Sequence, residues 1–399
     1  MSPSSFPVVR LRPKAEARAI RHGFPWVYAD EVVTDRRTKA LAPGSLAVLE
    51  DAARKPLGLV AVNPGSKIFA RMLDRDPSAV IDRDWFAARI GAALAHRARL
   101  YDRPFYRLIH AEADGLPGVV VDRFGEAAVL QPNAAWAERL LDPLAEALRE
   151  ATGITTLVKN AAGRTRTLEG LDEVTEVLFG AVDGPVQVPM NGATYSADLT
   201  GGQKTGLFYD QRDNHAFAQR LAKDGRMLDV FSHVGGFALA ALAGGATSAL
   251  AVDSSAAALD LAGQGADATG VGGRFATQRG DAFKVMEALA EEGQTFDLVI
   301  CDPPAFAPSR KSLDAGLRAY ERVARLAVRL VEPGGYLGLC SCSHAADLPR
   351  FRAASVRGIG RAGRRAQLIH TGFAGPDHPQ LPQLAETGYL KALFFRVLP

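Results

Sequence analysis

Phe296-Asp297-Leu298-Val299-Ile300-Cys301-Asp302-Pro303-Pro304-Ala305-Phe306 is an apolar run that stops on Asp-Pro-Pro. The run is short enough for a buried parallel strand, and the prolines end pairing beyond it. A carboxylate is thereby presented at the carboxyl end of a strand, the edge at which open α/β sheets bind ligands. The aromatic that follows suits a site for a flat, polar ring. A plain strand followed by a proline turn, with Asp302 as its cap, fits this stretch equally well. The surrounding chain decides between them.

Strand-like and helical segments alternate on both sides of the run. Strand candidates are Met227–Phe231, Ser248–Val252, Asp297–Cys301, Gly335–Cys340 and Tyr389–Val397, with helices between them. This rhythm predicts a doubly wound, Rossmann-like sheet with right-handed crossovers. The first strand runs into Asp229-Val230-Phe231-Ser232-His233-Val234-Gly235-Gly236-Phe237 and then a helix. Glycines there let a ligand approach the backbone, and the helix start offers N–H groups. The next strand ends in Asp253, placed to hold ribose hydroxyls. Gly280-Asp281-Ala282-Phe283 places another acid where it reaches an adenine amino group. Each acid alone is an ordinary cap or surface charge, but four at successive strand ends imply a nucleoside-containing cofactor. The G-x-G-x-x-G dinucleotide fingerprint is absent, which argues against a pyrophosphate and against a dehydrogenase. S-adenosylmethionine, with a sulfonium and an amino acid tail, fits better.

Glu332-Pro333-Gly334-Gly335 reads as a turn feeding a strand that ends in Ser341-Cys342-Ser343-His344. Cys342 then lies at the same edge as Asp302, where a thiolate can attack an electron-poor ring. Cys340 and Cys301 sit deeper in their strands and read as small apolar core residues. Three cysteines form no disulfide framework and point to a reducing cytoplasm. No cluster has zinc-ligand spacing, so no metal is expected.

Two regions precede this domain. Residues 1–74 carry the strand-like Gly44–Glu50 and Gly58–Asn63 with Pro-Gly turn signals, a small β-rich module. A linker, Asp74-Arg75-Asp76-Pro77, leads into residues 75–190. They continue with a helix at 82–103, the strand Val119–Asp122, a helix at 134–151 and strands near 155–159 and 175–179, an α+β middle domain. The last domain spans 191–399. Residues 1–110 hold 19 Lys and Arg against 11 Asp and Glu, a net of +8 within a chain of net +3. A basic N-terminal part hints at a polyanion partner. The six arginines between Arg350 and Arg365 read as a solvated helix face or as phosphate contacts. No run is long and apolar enough for a membrane helix, and Met1–Phe6 lacks signal-peptide order, so no membrane partner is expected.

These residues together resemble the RlmI type of ribosomal RNA large-subunit methyltransferase, which makes 5-methylcytosine in 23S ribosomal RNA. Gly23-Phe24-Pro25-Trp26-Val27-Tyr28 is similar to that family's start and implies a PUA domain. Arg107-Leu108-Ile109-His110-Ala111-Glu112-Ala113-Asp114-Gly115-Leu116-Pro117-Gly118 matches in the middle domain. The most specific motif is Gly202-Gln203-Lys204-Thr205-Gly206-Leu207-Phe208-Tyr209-Asp210-Gln211-Arg212. Asp377-His378-Pro379 and Gly388-Tyr389-Leu390-Lys391 match near the end. The chain departs from the family's pattern at His233-Val234 (family Tyr-Thr), Ala305 (Lys) and His344 (Gly).

The resemblance implies a class I fold that binds S-adenosylmethionine through Lys204, Thr205, Asp229, Phe231, Ser232, Gly235, Gly236, Asp253, Ser254, Asp281, Ala282, Asp302 and Pro303. Cys342 and Asp302 are the implied catalytic pair. Arg18, Arg21, Trp26, Lys67 and Arg71 are the implied RNA contacts of the PUA module. Large-subunit ribosomal RNA is the implied partner; monomer and homodimer stay open. A guanine-nitrogen methyltransferase shares Asp-Pro-Pro-x-Phe and the glycine turn but needs no thiol, so Cys342 favours cytosine. A non-catalytic RNA-binding or ribosome-assembly protein is disfavoured by the intact acids.

Overall fold

In the computed structural model, which describes residues 6–201 and 206–399, the run Phe296–Cys301 is a strand and Asp302 follows it directly. Seven strands form its sheet: β1 (Arg226–Val230), β2 (Ser248–Asp253), β3 (Phe275–Arg279), β4 (Phe296–Cys301), β5 (Val331–Ser341), β6 (Ala366–Gly372) and β7 (Lys391–Val397). Their order is β3-β2-β1-β4-β5-β7-β6. The first five are parallel, and β7 is antiparallel to both neighbours. The order reverses between β1 and β4, which makes the crevice beyond their carboxyl ends the ligand position of such sheets. Val230, Val299, Ile300 and Leu337 are fully buried, as both faces of a parallel sheet require.

The helices of this unit are α1 (Arg212–Leu221), α2 (Gly236–Ala243), α3 (Ala256–Thr269), α4 (Ala282–Glu291), α5 (Leu313–Ala327) and α6 (Leu348–Arg361). Every residue from Phe237 to Leu242 is buried, so α2 is apolar all round and enclosed. The other helices are amphipathic and cover the sheet with one stripe. Glu332–Gly335, expected as a turn, lies inside β5 as an irregularity. The register with β4 jumps there, from Phe296↔Val331 to Leu298↔Tyr336. β3, β6 and a hairpin, Val186–Met190 with Ala193–Ala197, were not expected from the sequence. β3 and β6 flank the sheet and carry exposed residues, so neither has the continuous apolar run that reveals a central strand.

This sheet and its helices are one of two compact units, made of residues 184–198, 206–376 and 388–399. The other comprises described residues before 184 together with 199–201 and 377–387. It contains two sheets. Val8–Arg10, Ser45–Glu50, Pro56–Val62, Ile68–Asp74 and Trp26–Tyr28 make the first, around Val9, Val27, Val60 and Phe69. Phe105–His110, Val119–Phe124, Ala127–Pro132, Thr156–Lys159 and Glu176–Phe179 make the second. Helices Arg83–Arg97 and Leu141–Thr152 pack on it, with Phe86 stacked on Trp136 at 5.9 Å. The expected linker at Asp74 is no loose tether. Its carboxylate accepts from Trp85 Nε1 and Arg89, and Leu59, Ala61 and Leu73 share one core with Trp85 and Ile90.

Two of the quoted motifs meet in this unit. Arg97, fully buried, grips Asp114 through two 2.7 Å bonds and donates to the Asp377 carbonyl at 2.9 Å. The Arg107 amide donates to Asp377 Oδ2, and its guanidinium pairs with Asp122. His378 Nδ1 lies 2.9 Å from Asp377 Oδ1, and its ring packs on His110. Burial above all, with His378, Arg107 and Arg97 adding to it, pushes the His110 imidazole down to about 2.

Candidate active site

The crevice beyond β1 and β4 is lined by the segments that follow β1 to β5. The β1 loop is shaped by left-handed backbone at Phe231 (φ 63°), His233 (φ 50°) and Gly235 (φ 78°). Two non-glycine residues in that region mark stored strain, which concentrates at functional sites. Asp229, the last but one residue of β1, is fully buried and accepts from the Ala238 amide at 2.9 Å. Burial raises its carboxyl to about 7, with the nearby charges of Asp302 and Asp253 adding to it and backbone N–H groups opposing it. Asp229 Oδ1 and Ser232 Oγ are buried with no hydrogen-bond partner among the described residues. Buried polar groups are normally satisfied, so these suit a ligand that brings a cation and donors of its own.

The two glycines answer first to the protein's own packing. A Cβ on Gly236 would lie 2.7 Å from the His215 imidazole, and one on Gly235 would meet Leu239 and Ala262 at 3.3 Å. Asp253 is half-buried and accepts the His233 amide on one oxygen and the Ser255 amide on the other, each at 2.9 Å. It therefore holds the β1 loop in place. Ser254 and Asp281 are exposed. Asp281 caps α4 through the Lys284 amide, and Ala282 behind it is buried. Phe231 after β1, Phe283 in the first turn of α4 and Phe306 after β4 cluster with ring centroids 6.2–6.4 Å apart and are only partly buried. They form an aromatic wall for a flat ring.

Asp302 is half-buried and Pro303 buried. Gln211 donates from Nε2 to Asp302 Oδ2 at 2.9 Å. Cys301 pairs with Leu339 in register, so Asp302 continues alongside Cys340, and Cys342 follows just beyond β5. Cys301 and Cys340 are buried, and burial pushes both thiols up; Cys342 is partly exposed. The Cys342 loop is tied to the Asp302 loop. Ser343 Oγ accepts the Ala307 amide at 3.0 Å and lies 2.7 Å from the Tyr320 hydroxyl, to which Ser341 donates at 2.9 Å. Below it, Lys391 Nζ donates to the carbonyls of Ser343 and Ala346 at 2.7 and 2.9 Å. Burial lowers this ammonium to about 8, while Cys342 and Asp347 favour its charge.

The sequence did not single out Gln211, Tyr320, Ser343 or Lys391 as site residues. Gln211, Ser343 and Lys391 lie in quoted motifs, which was the available signal; Tyr320 carried none. Lys204 and Thr205 lie outside the described residues. Of the expected RNA contacts, Arg18 and Lys67 are exposed, and Arg21 pairs with Asp51. Arg71 is a correction: it is buried between Glu112 and Glu169, at 3.4 and 2.9 Å, so its charge is spent inside the unit. Trp26 donates to Glu112 at 2.8 Å. Periodicity cannot foresee Arg71, because its partners come 41 and 98 residues later.

Residues 138–396 match the family pattern of S-adenosylmethionine-dependent methyltransferases. The chain belongs to that family. Residues 9–75 match a PUA-like domain. This methyltransferase is 33% identical over 394 residues to ribosomal RNA large subunit methyltransferase I of Cronobacter sakazakii, covering 96% of this chain and 98% of that protein. It is 35% identical over 408 residues to a ribosomal RNA large subunit methyltransferase of Deinococcus radiodurans, covering 99% and 98%. A solved candidate methyltransferase from Streptococcus mutans shares the fold, with a TM-score of 0.82 at 18% identity, covering 98% of this chain and 100% of that one. The expected cofactor is thus S-adenosylmethionine, and the β1 loop with its buried acceptors and aromatic wall fits it.

Proposed function

We propose that this methyltransferase forms 5-methylcytosine in large-subunit ribosomal RNA through a covalent adduct on Cys342. The observation that carries the reading is a partly exposed thiol just past β5, at the same sheet edge as Asp302 and above a buried lysine. The names of its relatives support the substrate.

Cytosine C5 is a poor nucleophile until C6 is attacked. The Cys342 thiolate adds to C6, forming an S–C bond, while Asp302 hydrogen-bonds N3 and hands it a proton. The C5–C6 π electrons move to C5, which becomes enamine-like. S-adenosylmethionine, when bound, supplies the electrophilic methyl group. A base then removes the C5 proton, its bond electrons re-form the double bond, the thiolate leaves C6, and the N3 proton returns to Asp302. Asp229, Phe231, Ser232 and Asp253 would hold the donor. Tyr320 and Lys391 hold the Cys342 loop, and a cation nearby favours the thiolate. The target base must leave its stack to reach this edge. The PUA-like module would supply backbone affinity through exposed groups such as Arg18 and Lys67.

Methyl transfer to ribosomal RNA from a strain lacking this protein, followed by nucleoside mass spectrometry, tests the reading. Wild type should yield 5-methylcytosine, and Cys342→Ala should lose the activity while still binding S-adenosylmethionine. Undiminished transfer by Cys342→Ala, or methylguanine as product, would sink it.

A further inference from the structure

Asp302 sits at the end of a side-chain relay whose polarity is set from the far end. The Phe373 carbonyl only accepts, so the Asn214 atom 3.2 Å from it is the carboxamide nitrogen. The same nitrogen donates to Gln211 Oε1 at 2.6 Å. The Gln211 carboxamide must then turn its own nitrogen outward, where it meets Asp302 Oδ2 at 2.9 Å. Gln211 and Asn214 are almost wholly buried. Gly372 leaves the room that Asn214 occupies: a Cβ there would come within 1.9 Å of Asn214 Oδ1. A carboxamide does not titrate. Oδ2 therefore faces a permanent donor, and a proton on Asp302 belongs on Oδ1.

We propose that Gln211 is a positioning residue that sets the rotation of the Asp302 carboxyl and confines its proton to Oδ1, the oxygen offered to the target base. This rests on the reading of Asp302 as the group that meets the base. It does not depend on whether the base is cytosine or guanine, or on Cys342. The titratable groups around the pair are Asp229 on β1, Cys301 on β4 and Cys340 on β5, all coupled to Asp302, with Asp253 acting on Asp229. Beside Gln211 lie Arg212 and Asp210, which accepts the Tyr389 hydroxyl at 2.6 Å. His215 on α1 feels both Asp210 and Arg212 and stays neutral, pushed down to about 3 by burial.

Two variants test the relay. In Gln211→Glu, the introduced carboxyl when protonated reproduces the contacts with Asn214 and Oδ2, though not the one with the Cys340 thiol; ionised, it repels Asp302. Its methyl-transfer rate should approach that of wild type at the acid end and fall at least about tenfold relative to wild type as pH rises through the titration of the new group. Thermal melts and S-adenosylmethionine binding at both ends of the range separate this from unfolding. In Gln211→Leu, an N–H donor to the charged form is lost. The Asp302 carboxyl carbon, followed by NMR in aspartate-labelled protein, should titrate at higher pH than in wild type. A Gln211→Glu profile parallel to wild type, or an unmoved Asp302 titration in Gln211→Leu, overturns the proposal. Nucleoside analysis of the same reactions separates the two readings: a product other than 5-methylcytosine ends the cytosine reading and leaves the relay standing.

Discussion

Lys391 keeps an ammonium where burial works against it. Its two donors hold the carbonyls of Ser343 and Ala346, and its charge is coupled to Cys342. An ammonium tuned in this way favours the thiolate over the thiol. Lys391→Met should therefore slow iodoacetamide alkylation of Cys342 several-fold near neutral pH, read by peptide mass spectrometry. Buried Cys301 and Cys340 serve as unreactive internal controls. An unchanged rate would leave Lys391 only as a loop anchor. Asp302, Cys342 and Asp253 were legible as strand-end residues because each sits where an apolar run stops, and Asp229 because a glycine turn follows its strand. Asp281 was legible too, but its carboxylate is engaged at the start of α4. Gln211 and Arg71 were not legible in these roles. Each is decided by partners far along the chain, and no local pattern encodes a contact across 91 residues such as Gln211 with Asp302.

Among the elements, β5 and β7 carry the site more than their apolar content suggests. β7 runs antiparallel beside β5 and sets Lys391 opposite Ser341, which fixes the loop that follows. The central strands were readable from their continuous Val, Leu and Ile runs. β6 was not, since Leu368 and Ile369 are exposed and the strand has a register irregularity against β7. Yet β6 ends in Gly372, against which Asn214 rests. Gly372→Ala should displace Asn214 at a cost of roughly 1–3 kcal/mol, typical of overpacking. The checks are a lower melting temperature and a loss of methyl transfer larger than the stability change explains. Activity equal to wild type in the folded variant would show that the contact tolerates movement.

Across the molecule, acid should act unevenly. His110 in one unit and His215 in the other are buried neutral, pushed down to about 2 and about 3. The unfolded chain takes up protons near pH 6.5 that these histidines refuse, so each costs stability as pH falls below that value. Asp229 does the opposite. Its folded carboxyl holds a proton up to about 7, so between that value and the ordinary carboxylate range the folded state binds more protons than the unfolded, and acid stabilises it by an amount on the order of 4 kcal/mol. Asp229 and His215 share a unit and largely cancel. His110 has no such counterweight among the resolved shifts, and Asp35, Asp51, Asp74, Asp76 and Asp172 of its unit are all held below the usual range. Hydrogen exchange at pH 4.5 against pH 7 should show the His110 unit opening first. Uniform loss of protection would refute this. The return of Asp377–Thr387 to that unit has a further consequence, in time. Asp377 lies 280 residues after Arg97 and 270 after Arg107, so it leaves the ribosome long after both, to accept from the Arg97 guanidinium and the Arg107 amide. Until then one Arg97 donor and the Arg107 amide wait for their acceptors, while Asp114 and Asp122 already hold the two guanidiniums, so the N-terminal unit completes this core only once Asp377 emerges, and a gene fragment ending before Asp377 would leave those two donors without these acceptors.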